Sequence, residues 1–321
     1  MRFTGAELRG VKRLLYRWAL KTAERFELGK SPGVLRAIEH RIVDVIVFRK
    51  WREALGGRIR YLICGGAPLE PSLANFFAAI GMIPLQGYGL TETSPVITFN
   101  RAHRNRAGVV GEPLPGVEVR LADDGEVCAR GPNVTMGYYL RADATAAAID
   151  DEGWFHTGDI GEFDDDGFLR ITDRRDNLFK LSTGRYVTPQ PLETRLTAEP
   201  LICETVVVGA GRKYAAALIF TTAELVEKWA RLNGLPSETP VDDLAQHPRL
   251  LARFQQLVDR ANRGMPEWSR IQRFTVLLAE LSTENQLLTP TLKVRRRKLH
   301  DVFANRIESL YEPDPPHIES P

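Results

Sequence analysis

Two short apolar runs separated by a helical pattern form the most regular part of the chain. Residues 60–64 make the first run and residues 82–85 the second. Between them apolar residues recur at helical spacing, with Pro71 near the start of the pattern and Gly81 at its end. This order predicts a β-α-β unit in which both following loops lie at the carboxyl ends of strands, where open α/β sheets hold ligands.

Further repeating patterns of apolar residues lie before and after this β-α-β unit. Helical spacing over residues 11–51 predicts helices, with Ile42, Val45 and Ile46 on an apolar face. From Gly108 onward, short alternating segments surround the turns at residues 123–125 and 165–167, and these predict two β-hairpins.

The pattern changes again after Asp176 and predicts a separate small α+β domain. Strands are expected near residues 205–209 and 215–221, and helices near residues 224–232 and 248–262.

The fold class expected from these patterns is therefore α/β plus α+β, in two domains. The first covers residues 1–175 and contains the β-α-β layer and a small β-barrel-like subdomain, and the second covers residues 176–312. The proline-rich residues 313–321 are expected to form a disordered tail.

Composition narrows the functional classes. With 321 residues, 43% hydrophobic and 26% charged, the chain is long enough for two folded domains. A net charge of +2 disfavours a nucleic-acid partner, even with the basic run at residues 295–298.

The three cysteines are far apart in sequence and no histidine is closely paired with one, so we predict neither a disulfide framework nor a zinc site. No long apolar run or signal-peptide pattern is present, which predicts a cytoplasmic protein with at most peripheral membrane contact.

The segment Gln86-Gly87-Tyr88-Gly89-Leu90-Thr91-Glu92 carries groups suited to a nucleotide. Its glycines let the backbone approach a ligand and adopt unusual angles. The Tyr88 ring can lie on a base, Thr91 offers a hydroxyl to a phosphate, and Glu92 offers the hard oxygen that Mg²⁺ prefers. Taken alone, the segment also fits an ordinary glycine-rich turn.

Two further positions carry charged groups, and the first of them suits a ribose. Asp159 lies just before a predicted strand, and its carboxylate can accept hydrogen bonds from both hydroxyls of a ribose. Arg174 follows another strand. A turn aspartate and a solvated charged turn are the simpler structural alternatives for these two residues.

Five motifs in a fixed order resemble those of the adenylate-forming (AMP-binding) acyl-CoA synthetases. They are Gly65–Leu69, Gln86–Glu92, Thr157–Asp159, Asp173–Asp176 and Thr289–Lys293. Each motif is weak by itself, but five in order across most of the chain are specific. The insertion after residues 215–221, the segment 265–271 and the ending Leu-Thr-Pro-Thr-Leu-Lys resemble the long-chain fatty acid CoA ligases.

The resemblance implies a ligase that uses ATP, Mg²⁺ and CoA to activate a fatty acid. The carboxylate attacks the α-phosphate to give acyl-AMP and pyrophosphate, and the CoA thiol then displaces AMP. The implied adenine pocket consists of Gly65, Gly66, Ala67, Pro68 and Tyr88. Asp159 and Arg174 are implied to hold the ribose. The implied catalytic groups are Thr91 at the α-phosphate, Glu92 on Mg²⁺ and the Lys293 ammonium between the reacting anions.

The resemblance also implies that the second domain rotates between the two half-reactions. Asp176 is the implied hinge. Rotation withdraws Lys293 and presents a loop to CoA, formed by Ser182, Thr183, Gly184 and Arg185.

One family feature is absent from the sequence before Gly65, namely the Ser/Thr/Gly-rich loop that holds the β- and γ-phosphates. The chain therefore resembles the C-terminal part of a synthetase. We expect a truncated or split form of the ligase, in which the pyrophosphate cradle and most of the acyl site are missing from this chain. Its expected partners are a separate N-terminal half or a second copy in a homo-oligomer. Two alternatives remain open: a nucleotide-binding remnant without catalysis, and a ligase whose acyl acceptor is a carrier protein.

Overall fold

The computed structural model describes residues 8–236 and 239–312. They form two compact units, which meet in the sequence between Asp176 and Asn177. The expected tail at residues 313–321 lies outside the described residues. No helix among those described is long and apolar enough to cross a membrane.

The first unit begins with helices α1 (Gly10–Glu24) and α2 (Val34–Val43), a π-helical turn (Asp44–Phe48) and α3 (Arg49–Ala54). The prediction that Ile42, Val45 and Ile46 form the packed face is wrong, because all three are exposed. The core is instead built by two small residues of α1, Ala19 and Ala23, together with Val43 of α2 and with Val47 and Phe48 of the π-helical turn.

The predicted β-α-β unit is present as β1 (Tyr61–Cys64), α4 (Pro71–Ala79) and β2 (Ile83–Tyr88). Strands β1 and β2 are parallel, with Cys64 opposite Gln86. Helix α4 starts where the Glu70 side chain accepts a hydrogen bond from the Leu73 amide, which satisfies one free N–H of the first turn.

Strand β2 is longer than predicted. Gly87 and Tyr88 pair with Phe99 and Thr98 of the short strand β3 (Thr98–Phe99), so residues 86–88 belong to the sheet and only residues 89–92 form a loop. The antiparallel strand β4 (Glu112–Pro113) completes this four-stranded sheet.

A second, antiparallel sheet follows in the order of the sequence and corresponds to the expected barrel-like subdomain. Its strands are β5 (Glu118–Leu121), β6 (Glu126–Arg130), β7 (Phe155–Phe163) and β8 (Leu169–Arg174), with α5 (Ala142–Ala148) between β6 and β7. Asp159 lies inside β7, opposite Arg174, and not before the strand as predicted. The strand extends further back because Phe155, Thr157 and Asp159 alternate as buried positions on one face.

The second unit contains the hairpin β9 (Phe179–Lys180) and β10 (Tyr186–Val187), and the sheet β11 (Glu204–Val208), β12 (Ala215–Thr221) and β13 (Ile271–Leu278). Its helices are α6 (Gln190–Thr197), α7 (Ala223–Leu232), α8 (Val241–Ala245), α9 (Pro248–Ala261), α10 (Arg296–Val302) and α11 (Ala304–Ser309).

The central strand β12 is buried along its whole length and separates two apolar clusters. One cluster contains the stripe of α9 (Leu250, Phe254, Leu257 and Val258), as the sequence pattern predicts. The other contains Leu299 of α10 and Ile307 of α11.

Candidate active site

The two glycine segments lie side by side at the carboxyl ends of β1 and β2. A Cβ atom on Gly65 would lie 3.5 Å from the carbonyl oxygen of Gly87. A Cβ atom on Gly89 would lie 1.7 Å from the carbonyl oxygen of Pro95, so no side chain fits there. Gly87 and Gly89 have no positive φ angle, unlike Gly66 at +79°. Close packing, and not the unusual backbone angles that we predicted, thus explains the glycines at 87 and 89.

Asp159 is held from two sides. The Tyr88 hydroxyl donates to Asp159 Oδ2 over 2.7 Å. Arg174 Nε lies 3.0 Å from Asp159 Oδ1, and the aspartate side chain is only 10% exposed. The carboxylate is therefore oriented before any ligand binds.

Tyr88 has a role that the sequence did not reveal. Its ring packs on a buried cluster that includes Val110, Val127 and Leu169. Burial, followed by the charge of Asp159, raises the pKa of the Tyr88 hydroxyl, which therefore remains a donor throughout the physiological pH range. Tyr88 and Asp159 are 71 residues apart in sequence and lie on strands of different sheets, so only the folded chain brings them together.

The loop after β2 presents Thr91 and Glu92 through a short 3₁₀ turn, Thr91–Thr93. Thr93 is buried, and its hydroxyl oxygen accepts a hydrogen bond from the Leu90 amide over 3.0 Å. Thr91 is exposed, while Glu92 Oε1 accepts a hydrogen bond of 2.9 Å from the Tyr138 hydroxyl. The Tyr138 contact spans 46 positions and was missed, because no local pattern relates the two residues.

The expected CoA loop is the tip of the hairpin β9–β10 in the second unit. Residues Ser182, Thr183, Gly184 and Arg185 are all exposed. The turn is closed by the Leu181 amide, which donates to the Arg185 carbonyl over 2.8 Å. The Arg185 guanidinium lies 4.9 Å from the ring centre of Trp268, a cation–π contact. Trp268 lies in the segment 265–271, which resembles the long-chain ligases. No sequence pattern predicted a function for this residue.

Lys293 also belongs to the second unit, at an exposed tight turn. The Thr289 amide donates to the Lys293 carbonyl over 2.8 Å, and the Lys293 amide donates to Thr289 Oγ1 over 3.0 Å. Leu292 at the tip has φ of 59°, a left-handed angle that is uncommon outside glycine. The backbone position of Lys293 is thus fixed on both sides while its side chain extends into solvent.

Two family models match successive parts of the chain. Residues 13–139 match the model of the AMP-binding enzymes, and residues 176–314 match that of the AMP-binding enzyme C-terminal domain. The chain belongs to the AMP-binding enzyme family. The resemblance inferred from the five sequence motifs is thereby confirmed.

Individual relatives of this AMP-binding enzyme have more specific names than the family models. It is 40% identical over 281 residues to the long-chain-fatty-acid–CoA ligase FadD15 of Mycobacterium bovis, covering 88% of this chain and 47% of FadD15. The chain thus spans about half the length of the curated relatives it matches.

Solved structures confirm the mixed α/β fold. The adenylation domain of the carboxylate reductase from Mycobacterium chelonae aligns with a TM-score of 0.66 at 24% identity, covering 93% of this chain and 44% of that domain. The O-succinylbenzoate coenzyme A synthetase of Bacillus subtilis, in complex with ATP and a magnesium ion, aligns with a TM-score of 0.58 at 23% identity, covering 79% of this chain and 50% of that one.

Proposed function

We propose that this AMP-binding enzyme activates a long-chain fatty acid as acyl-AMP and transfers the acyl group to CoA. The observation that carries the proposal is the Asp159 carboxylate, held by Tyr88 and Arg174. The same chain segment presents Thr91 and Glu92 shortly after Tyr88. The name of FadD15, a long-chain-fatty-acid–CoA ligase, supports the substrate class.

The first unit binds the AMP moiety in this proposal. Asp159 accepts hydrogen bonds from both ribose hydroxyls, and the ion pair with Arg174 holds its carboxylate in place. The adenine lies between residues 65–68 and the segment that begins at Gln86, two segments that run side by side. The half-buried Tyr88 hydroxyl holds Asp159 through its hydrogen bond to Oδ2.

Thr91 and Glu92 bind the phosphate end of the nucleotide. The exposed Thr91 hydroxyl contacts the α-phosphate, and Glu92 supplies a carboxylate oxygen of the kind that Mg²⁺ takes alongside substrate phosphates. Bound Mg²⁺ would neutralise charge on the phosphates. The hydrogen bond from Tyr138 fixes one oxygen of Glu92 and leaves the other available.

Replacing Tyr138 with phenylalanine tests this orientation. We expect Tyr138→Phe to raise the Mg²⁺ concentration needed for half-maximal AMP formation roughly 3- to 10-fold, since one hydrogen bond contributes about 1 kcal/mol. Tyr139→Phe is the matched control, because Tyr139 is an adjacent and highly exposed tyrosine. An equal change in both variants would exclude the proposed role of Tyr138.

The second unit serves both half-reactions in turn. During adenylation Lys293 places its ammonium between the fatty-acid carboxylate and the α-phosphate, where negative charge accumulates. Rotation about Asp176 then brings the loop 182–185 to CoA, with Arg185 supported by Trp268. Asp176 lies in the short 3₁₀ turn Arg175–Asn177, at the boundary of the two units.

A proline at this hinge tests the rotation. We expect Asp176→Pro to slow thioester formation roughly tenfold more than it slows adenylation, because proline fixes φ at a position that must change it. Asp176→Asn is the control, since it removes the charge but keeps the backbone free. If both half-reactions keep wild-type rates in the proline variant, Asp176 is not the hinge.

Completion of the site requires a further region. Strand β1 lies at the edge of its sheet, with Tyr61 and Ile63 exposed. An exposed apolar sheet edge favours pairing with another segment. We propose that a region equivalent to the unmatched half of FadD15 packs here and supplies the pyrophosphate and acyl sites.

The acceptor is tested by product analysis. Palmitate, ATP, Mg²⁺ and CoA are supplied to the chain with and without a separately expressed N-terminal half of FadD15. We expect AMP and palmitoyl-CoA in equal amounts in the completed reaction. Formation of palmitoyl-AMP that is discharged by a carrier protein but not by CoA would contradict the proposed acceptor.

A further inference from the structure

A cluster of three different metal-binding side chains lies on the second sheet, apart from the proposed nucleotide contacts. Cys128 on β6 and His156 on β7 are directly opposite in the strand register, and Glu126 lies two positions before Cys128. One donor atom from each residue lies within 4.8 Å of the others. Cys128 and His156 are 28 positions apart, which is why sequence spacing gave no indication of a metal site.

The donor geometry suits a tetrahedral ion. With bonds of about 2.3 Å to sulfur and about 2.1 Å to nitrogen, a tetrahedral metal separates the two donors by about 3.6 Å. Cys128 Sγ and His156 Nδ1 are 3.6 Å apart. Glu126 Oε2 lies 2.9 Å from the same Nδ1, so it would need to move outward by about 0.5 Å to reach the corresponding tetrahedral separation.

Surrounding groups hold the three ligands in place. The other ring nitrogen of His156, Nε2, lies 3.5 Å from Asp150 Oδ2. Nδ1 itself faces the Glu126 carboxylate over 2.9 Å, so a metal would replace the proton between these two groups. The Asp150 carboxylate would then hold the tautomer that is protonated at Nε2, as in many carboxylate–histidine–zinc sites. The Gly158 amide donates to Glu126 Oε1 over 2.9 Å, and Arg175 donates to Glu126 Oε2 over 2.8 Å. These contacts fix the carboxylate beside the thiol.

The three side chains of the cluster differ in their exposure to solvent. Glu126 and Cys128 are buried, whereas the His156 side chain is 34% exposed.

We propose that Glu126, Cys128 and His156 form a site for a tetrahedral divalent metal of the zinc type, with water as the fourth ligand. The mixed sulfur, nitrogen and oxygen donors match the preferences of Zn²⁺ and Co²⁺. The ion would cross-link β6 to β7 immediately before Thr157-Gly158-Asp159. Its expected effect is to stabilise the strand that carries Asp159.

Cobalt substitution tests the site directly. The metal-free chain is titrated with Co²⁺, and we expect a thiolate-to-cobalt charge-transfer band in the near ultraviolet that Zn²⁺ abolishes. Cys128→Ser should remove the band, whereas Cys203→Ser, which changes an exposed cysteine, should retain it. No band in the wild-type chain, or a band that persists in Cys128→Ser, would overturn the proposal.

A second variant tests the surrounding contacts without altering a ligand. We expect Asp150→Asn to weaken Co²⁺ binding roughly 10- to 100-fold. Asparagine keeps the Oδ1 acceptor that Asp150 offers to the Glu152 and Trp154 amides, so the local turn is preserved. Unchanged Co²⁺ affinity in this variant would contradict the assigned geometry of His156.

Discussion

Lys293→Ala is expected to slow acyl-AMP formation roughly 10²- to 10³-fold, the effect of removing one preorganised charge from a developing anionic centre. Thioester formation from supplied acyl-AMP should stay close to the wild-type rate, because the proposed rotation withdraws Lys293 before CoA reacts. The lysine side chain is exposed, and its turn is closed by main-chain groups and Thr289. The substitution should therefore leave folding intact.

The two half-reactions are measured separately for this variant, adenylation by pyrophosphate exchange and thioester formation from synthetic palmitoyl-AMP. Arg297→Ala is the matched control, since Arg297 is an exposed cation that follows Lys293 closely, in the basic run at residues 295–298. Equal losses in both half-reactions of Lys293→Ala would show that the lysine is not specific to adenylation. Equal effects in the two variants would reduce its role to general positive charge.

Asp159→Asn is expected to weaken AMP binding roughly 10- to 100-fold, because hydrogen bonds to a charged group contribute about 1.5–3 kcal/mol. The substitution removes the negative charge that faces Arg174 while it preserves the shape of the side chain. Isothermal titration calorimetry with AMP measures the change. Asp166→Asn is the control, as Asp166 is an exposed aspartate paired with Arg106 in the same unit.

Tyr88→Phe provides a graded comparison for the same site. It removes only the donor to Asp159 Oδ2 and keeps the ring in its apolar contacts. The loss of AMP affinity should therefore be smaller than in Asp159→Asn. An Asp159→Asn variant that binds AMP like the wild type would exclude Asp159 from the nucleotide site.

Local patterns were sufficient for much of the fold. The β-α-β unit, both hairpins and the apolar stripe of α9 follow from periodicity and turn residues within short windows. The packed face near Ile42 could not be predicted, because a one-residue change in helix rotation exchanges buried and exposed positions. Likewise, β2 extends through Tyr88 only because β3 pairs with it, a partner that its own sequence does not specify.

The site residues likewise separate into groups that the sequence predicts and contacts that depend on the folded chain. The types of group in the segment 86–92 and at Asp159 and Arg174 were evident from the sequence. Their mutual contacts depend on strand register: Asp159 faces Arg174, and Tyr88 reaches Asp159 from another sheet. Tyr138 at Glu92 and Trp268 at Arg185 are contacts of the folded chain that have no local signature.

The central claim is that this chain forms the AMP-binding part of a fatty-acid-activating enzyme, and isotope exchange between pyrophosphate and ATP tests it most directly. The assay is run with the chain alone and together with the N-terminal half of FadD15. We predict exchange in the completed reaction that requires palmitate and Mg²⁺, does not require CoA, and is lost in Lys293→Ala. Exchange that does not depend on palmitate, or no exchange under either condition, would contradict the claim.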